Sequence, residues 1–109
     1  MMPGKRGNVK RIWRIYYDNW ADTYTMDVMR YGYNPATFIH RIKPFIKPGL
    51  ILDAGTGTGI VVSSLRDRDY GRFIGLDLSM KMLKKAEEFG MECVQGDVER
   101  LPFCESVFD

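Results

Sequence analysis

The feature that most constrains this sequence is a short apolar run followed at once by three glycines at alternate positions. Residues 50–60 read LILDAGTGTGI. A short, continuous apolar run bounded by turn residues predicts a buried strand, and glycines let the backbone approach a ligand because no side chain intervenes. The helix that follows begins with unpaired N–H groups, which favour phosphate or carboxylate groups. The stretch therefore predicts a ligand-binding turn between a strand and a helix.

Two helices are predicted before this strand. Apolar residues recur every three or four positions through residues 9–24, which predicts one amphipathic helix with a buried stripe that ends at Gly32. Asn34 and Pro35 suit the cap and the first position of a second helix, which ends at Pro44. We expect most of the aromatic side chains of the first helix to pack in the core: Trp13, Tyr16, Tyr17 and Trp20.

The remaining chain alternates between predicted strands and predicted helices. The segments are a fully buried strand at 50–52, a helix at 60–67, a strand at 72–77, a helix capped by Ser79 and stopped by Gly90, and a strand at 91–97. We expect Met80, Leu83 and Ala86 to share the apolar face of the last helix. Right-handed crossovers place such strands side by side in parallel, so the fold class is α/β.

An aspartate stands at the carboxyl end of each predicted strand: Asp53 directly after the first, Asp77 as the last residue of the second and Asp97 as the last residue of the third. Because parallel strands end at one edge of the sheet, we expect Asp53, Asp77 and Asp97 to border one crevice, with Asp77 placed to accept from ribose hydroxyls. The loop lacks the lysine of a P-loop, and Ile60 stands where a dinucleotide fingerprint has glycine or alanine. Three carboxylates favour a cationic ligand that is rich in hydrogen-bond donors over a polyphosphate, although a nicotinamide dinucleotide stays as an alternative.

Composition and single residues exclude several classes of function. The 109 residues are enough for one domain, and no apolar run approaches the ~20 residues that span a bilayer. The basic start has no signal-peptide pattern, so we expect a cytoplasmic protein. The spacing of Cys93 and Cys104 indicates neither zinc nor a disulfide, and we expect buried or half-buried free thiols and no metal. We interpret His40 as an ordinary surface or partly buried histidine.

The net charge of +2 is concentrated near the N-terminus. The basic residues that precede the first acidic residue are Lys5, Arg6, Lys10, Arg11 and Arg14. Such a segment can bind phosphates, but it is more often a solvated helix face, so nucleic acid is an unlikely partner in this interpretation.

Four segments resemble the motifs of one enzyme family. The segments LDAGTGTG, IGLDLSMKML and GDVERLPFCESVFD are similar to successive motifs of class I S-adenosylmethionine-dependent methyltransferases, in the small-molecule branch typified by ubiquinone and menaquinone biosynthesis. The segment YDNWADTYT is similar to the N-terminal motif of that branch, except that Thr25 replaces the usual acid. The resemblance implies a Rossmann-like doubly wound parallel sheet, of which this chain is the N-terminal half, preceded by two helices.

The resemblance also implies a set of residues that bind S-adenosylmethionine. Asp77 takes the ribose hydroxyls, Leu78 and the backbone of Val98 border the adenine, and Asp97 accepts from the adenine amino group. The methionine end meets the glycine loop, and two tyrosines close over it. The residues implied there are Asp53, Ala54, Gly55, Thr56, Gly57, Gly59, Tyr17 and Tyr24.

The activity implied is methyl transfer to a small-molecule acceptor. We expect a helical segment at 1–48 and the first half of the cofactor-binding domain at 49–109, with the first strand at an edge of the sheet. No catalytic residue is assigned, because in this family the substrate wall and any base come mainly from the fourth strand onward. Alternatives are a non-catalytic cofactor-binding fragment, a subunit of a split enzyme completed by a C-terminal half or by a second copy, and a nucleic-acid methyltransferase.

Overall fold

The computed structural model describes residues 5–65 and 71–108. The helices are α1 (Lys5–Trp20), α2 (Tyr24–Arg30), α3 (Pro35–Ile42), α4 (Ile60–Leu65) and α5 (Met80–Glu87), with a 3-10 turn at Lys43–Phe45. The strands are β1 (Gly49–Ala54), β2 (Gly71–Asp77) and β3 (Glu92–Gln95). The end of the helix predicted at 60–67 and the beginning of the following connection lie outside the described residues.

The three strands form one parallel sheet in the order β1-β2-β3. Asp53 pairs in register with Gly75, and Leu76 pairs with Val94. Both crossovers run through a helix, as parallel neighbours require. The α/β class, the parallel pairing of the three strands and the presence of helices before the sheet are confirmed as part of a Rossmann-like fold.

Strand β1 lies at one edge of this sheet, as expected. Its residues from Gly49 to Asp53 are only half-buried, so the prediction of a fully buried strand was wrong. The reason is topological, because among the described strands β1 pairs with β2 alone. The most buried apolar side chains lie instead around β2 and α5, where Leu76, Met82 and Leu83 are at most 1% exposed.

Two local signals for helix starts are confirmed. The side chain of Asn34 accepts from the backbone N–H of Ala36 at 3.0 Å, and the Ser79 hydroxyl accepts from that of Met82 at 3.1 Å. In each helix an otherwise unpaired donor of the first turn is satisfied. The predicted apolar face of α5 needs one correction, because Met80 is 39% exposed. Leu83 and Ala86 are buried as predicted, and Met82 rather than Met80 completes the packed face.

The first predicted helix is two helices in the structure. Helix α1 ends at Trp20, and α2 begins at Tyr24 after a turn of three residues. The Asp27 carboxylate accepts from the Trp20 indole N–H and from the Thr23 hydroxyl, both at 2.7 Å, and these bonds lower the pKa of Asp27, the indole contributing most. Periodicity did not show this break, because the apolar spacing continues through the turn.

The apolar stripe of α1 is also less buried than predicted. Val9, Ile12, Trp13 and Tyr16 are 49%, 64%, 50% and 52% exposed. Tyr17 and Trp20 are half-buried. Core packing was therefore the wrong expectation for Trp13 and Tyr16, because α1 packs mainly against the single helix α5.

The two cysteines differ in environment, and both are free thiols. Cys93 is half-buried as expected, whereas Cys104 is exposed, so the expectation was wrong for Cys104. Burial, with smaller contributions from nearby Glu87 and Asp53, raises the pKa of the Cys93 thiol to about 11. The exposed histidine His40 fits the expectation of a surface residue.

This difference predicts selective alkylation. At a pH of about 8, only about one Cys93 thiol in a thousand is ionised, and the thiolate is the reactive form. Iodoacetamide is expected to label Cys104 quickly and Cys93 much more slowly, as measured by peptide mass spectrometry. A Cys104→Ser variant is the control and is expected to stay nearly unlabelled until denaturant is added. Equal rates at the two cysteines would contradict the prediction.

Candidate functional site

The turn between β1 and α4 depends on its three glycines. Gly55, Gly57 and Gly59 have φ values of 73°, 57° and 76°, in the left-handed region that favours glycine. A Cβ placed on Gly55 or Gly57 would meet no heavy atom within 4 Å, whereas one on Gly59 would lie 3.1 Å from the Cβ of Ala86. The first two glycines therefore leave open space above the loop, and the third lets α5 approach it closely.

Backbone N–H groups of the glycine loop donate hydrogen bonds to other groups of the protein. The N–H groups of Gly55 and Thr56 donate to the carbonyl of Leu76 at 2.8 and 2.9 Å. The N–H of Gly57 donates to Asp77 Oδ2 at 2.9 Å. Because these three donors point toward β2, they do not form a cradle for phosphate. The geometry agrees with the sequence, which lacks the lysine of a P-loop.

Two of the predicted carboxylates hold the same loop from opposite ends. Asp77 accepts from Gly57 through Oδ2 and from the N–H of Ser79 through Oδ1, at 2.9 Å each. Asp53 Oδ2 accepts from the Thr56 hydroxyl at 2.8 Å. Burial raises the pKa of Asp53; the Thr56 hydroxyl opposes that change, and the charge of Asp77 adds a smaller increase. Asp53 and Asp77 therefore lie at one edge of the sheet and interact electrostatically.

The third predicted carboxylate has a different environment. Strand β3 ends at Gln95, so Asp97 lies two residues beyond it rather than at its end. Its Oδ1 accepts from the N–H of Glu99 at 2.9 Å, and its Oδ2 forms an ion pair with Lys10 of α1. Lys10 also lies 3.3 Å from Glu99, and these contacts raise the lysine pKa, the Asp97 bond most. Sequence reasoning missed Lys10.

Three hollows adjoin at Gly55 and form one open cleft. The outer hollow, of about 210 Å³, is lined by Trp13, Arg14, Tyr17, Gly55, Asp77, Leu78, Ser79, Gly96 and Val98. The central hollow, of about 240 Å³, is lined by Tyr17, Tyr24, Gly55, Gly57, Asp77 and Met82. The inner hollow, of about 400 Å³, is lined by Tyr24, Val28, Tyr31, Tyr33, Asp53, Gly55, Thr56, Gly57, Ile60 and Val61. Ala54 is the exposed last residue of β1 beside this cleft.

The N-terminal motif contributes directly to the cleft. The rings of Tyr17 and Tyr24 lie 6.4 Å apart, and both line the central hollow. Burial is the main cause that raises the pKa of Tyr24. Thr25, which departs from the family pattern, shares a hydrogen bond of 2.7 Å with the buried hydroxyl of Thr58. Helix α2 is thereby attached to the glycine loop without a carboxylate.

Asp18 attaches α1 to the start of α5, and sequence reasoning missed it. The buried Ser79 hydroxyl donates to Asp18 Oδ1 at 2.5 Å, and the N–H of Lys81 approaches the same oxygen at 3.4 Å. A negative charge near the first turn of a helix is favourable. Ser79 was recognisable as a cap from the residues beside it, but nothing local indicates that its partner is 61 positions away.

The raised pKa of Asp53 predicts a pH-dependent effect on stability. Since the folded chain binds the Asp53 proton more tightly than the unfolded chain, ionisation destabilises the fold as pH rises from 3.8 through the raised value. Asp53→Asn removes that charge and keeps an acceptor for Thr56. The variant is expected to be more stable than the parent at neutral pH, with a smaller difference near pH 3.8.

Urea unfolding of both proteins at the two pH values measures this difference. Asp22→Asn is the matched control, because the Asp22 side chain is 90% exposed. A stabilisation by Asp53→Asn that does not change with pH would show that burial of the charge is not its cause.

Two kinds of feature are absent from the part of the chain that the structure describes. Across residues 5–65 and 71–108, no helix has the length and apolar character needed to cross a bilayer. In those same ranges no group of three or more His, Cys, Asp or Glu side chains could hold a metal ion.

A family model described as a methyltransferase domain matches residues 51–109, which include most of β1, the glycine loop and all three aspartates. The sequence is 34% identical over 104 residues to human methyltransferase-like protein 27, covering 86% of this chain and 42% of that protein. It is 43% identical over 75 residues to malonyl-[acyl-carrier protein] O-methyltransferase of Erwinia pyrifoliae, covering 63% of this chain and 28% of that enzyme.

The fold is similar to that of solved structures. A complex of DhpI with SAH matches with a TM-score of 0.66 and 26% identity, over 80% of this chain and 45% of that chain. In each of these three comparisons the chain spans less than half the length of its relative.

Proposed function

Since this chain belongs to the class I S-adenosylmethionine-dependent methyltransferase domain family, we propose that its cleft binds S-adenosylmethionine and that it supplies the cofactor-binding part of an enzyme that methylates a small molecule. One observation carries the proposal. Gly55 and Gly57 leave open space in a cleft bordered by Asp53 and Asp77, at the carboxyl edge of a parallel sheet. Ligands of open α/β sheets bind at that edge.

The residues around the cleft fit the chemistry of an adenosyl sulfonium compound. Asp77 offers two carboxylate oxygens, each with one bond to a backbone N–H and lone pairs left for ribose hydroxyls. Leu78 and Val98 give the outer hollow apolar surface for a purine. Asp97 lies between Gly96 and Val98, which line that hollow, and is proposed as the acceptor for the adenine amino group; its ion pair with Lys10 orients the carboxylate.

The inner part of the cleft fits the methionine end. Asp53, Ala54 and Thr56 form the base and side of the loop there, and Gly59 sets its distance from α5. The rings of Tyr17 and Tyr24 cover the central hollow. When bound, the cofactor supplies an electrophilic methyl group on sulfur, and the chain binds, orients and shields it from water.

We further propose that residues 1–48 act as a helical cover and that residues 49–109 are the first half of the cofactor-binding domain. The half-buried edge strand β1 supports this division, because a strand of this apolar composition is normally paired on both sides. A C-terminal half would supply the pairing strands, the acceptor wall and any base. A second copy of the chain is the alternative source of those strands.

The acceptor is proposed as a small molecule or a small acyl group. The relative in Erwinia pyrifoliae is named for transfer to an oxygen of malonyl-[acyl-carrier protein], which supports an oxygen acceptor. A general base is needed only if the acceptor must lose a proton before it attacks the methyl group. The competing function is cofactor binding without catalysis, which the half-exposed edge of the sheet also favours.

Calorimetric titration tests the binding proposal. The chain is titrated in turn with S-adenosylmethionine, S-adenosylhomocysteine and NAD⁺. We expect the first two to bind and NAD⁺ to bind far more weakly. Preferential binding of NAD⁺ would overturn the proposal.

Turnover separates the two candidate functions. Mass spectrometry follows formation of S-adenosylhomocysteine with malonyl thioesters and other small acyl acceptors. Methyl transfer supports the enzyme, whereas binding without any transfer, even with a C-terminal half added, supports the non-catalytic function.

A further inference from the structure

A row of aromatic rings from α1 and the first residue of α2 runs beside the cleft. The rings of Trp13 and Tyr17 are stacked at 6.0 Å, and those of Tyr17 and Trp20 are stacked at 6.1 Å. Trp20 meets Tyr24 edge to face at 4.6 Å. Tyr17 and Tyr24 line the central hollow, and Trp13 lines the outer one. The row therefore continues past the two tyrosines to the far end of the cleft.

Trp13 is 50% exposed and yet faces a hollow with apolar walls. Leu78 and Val98 line that same hollow, and Asp77 lies at its border. An indole beside aliphatic side chains makes a slot for a flat aromatic group, and stacking on such a ring does not need a specific hydrogen bond. Core packing does not explain Trp13, since half of its surface is accessible.

Polar contacts hold α1 across this slot on both sides of Trp13. Lys10, three residues before it, pairs with Asp97 and Glu99 after β3. Asp18, five residues after it, accepts from Ser79 at the start of α5. A helix fixed at both points presents the intervening turn to the slot with little freedom, and this lowers the entropy lost on binding.

We propose that Trp13 is a ligand-binding residue that stacks on the adenine ring and that α1, fixed by Lys10 and Asp18, is the outer wall of the adenosine site. The inference rests on the proposed function and adds to it, because it assigns the N-terminal helix to purine recognition. Tyr17 and Tyr24 then cover the ribose and methionine parts, and one row of side chains covers the whole cofactor.

The test uses S-adenosylhomocysteine as the probe and calorimetry as the first measurement. Trp13→Ala is expected to weaken binding roughly 5- to 100-fold, the range for loss of one base–aromatic stack. Trp13→Phe is expected to restore most of the affinity. Ile12→Ala is the matched control, since Ile12 is 64% exposed on the same helix and is expected to leave affinity unchanged.

Fluorescence separates stacking from a structural role. The chain has two tryptophans, so in a Trp20→Phe background Trp13 is the only one. Its emission is expected to fall when S-adenosylhomocysteine binds, with the same midpoint as calorimetry. If Trp20→Phe does not fold, the emission change on binding is measured for the parent and for Trp13→Phe, and the difference between the two changes is the contribution of Trp13.

The outcomes are distinguishable. This inference is overturned if the parent binds S-adenosylhomocysteine and Trp13→Ala binds it with the same affinity. It is also overturned if Trp13 emission does not change on binding. In both cases the proposed function still stands. No binding of S-adenosylhomocysteine to the parent overturns the proposed function and this inference with it.

Discussion

Asp77→Ala is expected to weaken the binding of S-adenosylhomocysteine by roughly 10- to 100-fold, which is the effect of losing hydrogen bonds to a charged group. The carboxylate borders the outer and central hollows, where it is proposed to accept from the ribose hydroxyls. The change also removes the acceptor for the N–H of Gly57, so the loop loses one of its attachments to β2. Calorimetry of the purified variant gives the affinity directly.

Two variants separate these contributions. Asp77→Asn keeps one oxygen acceptor without the charge, and its affinity is expected to fall between those of the parent and Asp77→Ala. Asp22→Ala removes an exposed aspartate that pairs with Lys85 and does not line the cleft, so the affinity is expected to stay at the parent value. Parent-like affinity in Asp77→Ala would refute the ribose assignment.

Gly59→Ala is expected to destabilise the fold by about 2–5 kcal/mol. A non-glycine residue at φ 76° costs about 1–2 kcal/mol, and overpacking of a filled site costs about 1–3 kcal/mol more. The added Cβ would lie 3.1 Å from Ala86 Cβ and 3.3 Å from Ala86 Cα, and the backbone of a buried helix cannot move away easily. Urea unfolding measures the loss of stability.

Gly57→Ala is the matched control for this prediction. Its φ of 57° carries the same backbone cost, but no heavy atom lies within 4 Å of the added Cβ. The variant is expected to lose only about 1–2 kcal/mol of stability, and to bind S-adenosylhomocysteine more weakly because the methyl group occupies the cleft. If Gly57→Ala loses as much stability as Gly59→Ala, the close packing of Gly59 against Ala86 is not the cause of the larger loss.

The sequence predicted those features that depend on neighbouring residues. The caps at Asn34 and Ser79, the glycine turn between β1 and α4 and the three strands follow from side chains or periodicities a few positions apart. The position of Asp77 at the end of β2 is also local, because strand length and the acid that follows it are both visible in the sequence. These features were sufficient to predict the fold class and the edge of the sheet at which the cleft lies.

The sequence did not predict the break after Trp20, because the apolar spacing is the same on both sides of the turn. It also overestimated the burial of Trp13, Tyr16 and β1. Periodicity shows which side of an element is apolar, but not how much of that side a neighbour covers. For β1 the answer depends on which strands pair with it, and this is a property of the topology.

The amino-acid sequence by itself determined the three parallel strands, the glycine turn and the acidic residue that ends β2, because each depends on short-range sterics and hydrogen bonding. Only the tertiary structure decided that Lys10 pairs with Asp97, 87 positions away, and that Asp18 reaches Ser79. It also placed the aromatic row of α1 along the cleft. These contacts form where the chain path brings distant segments together, and no local pattern specifies that path.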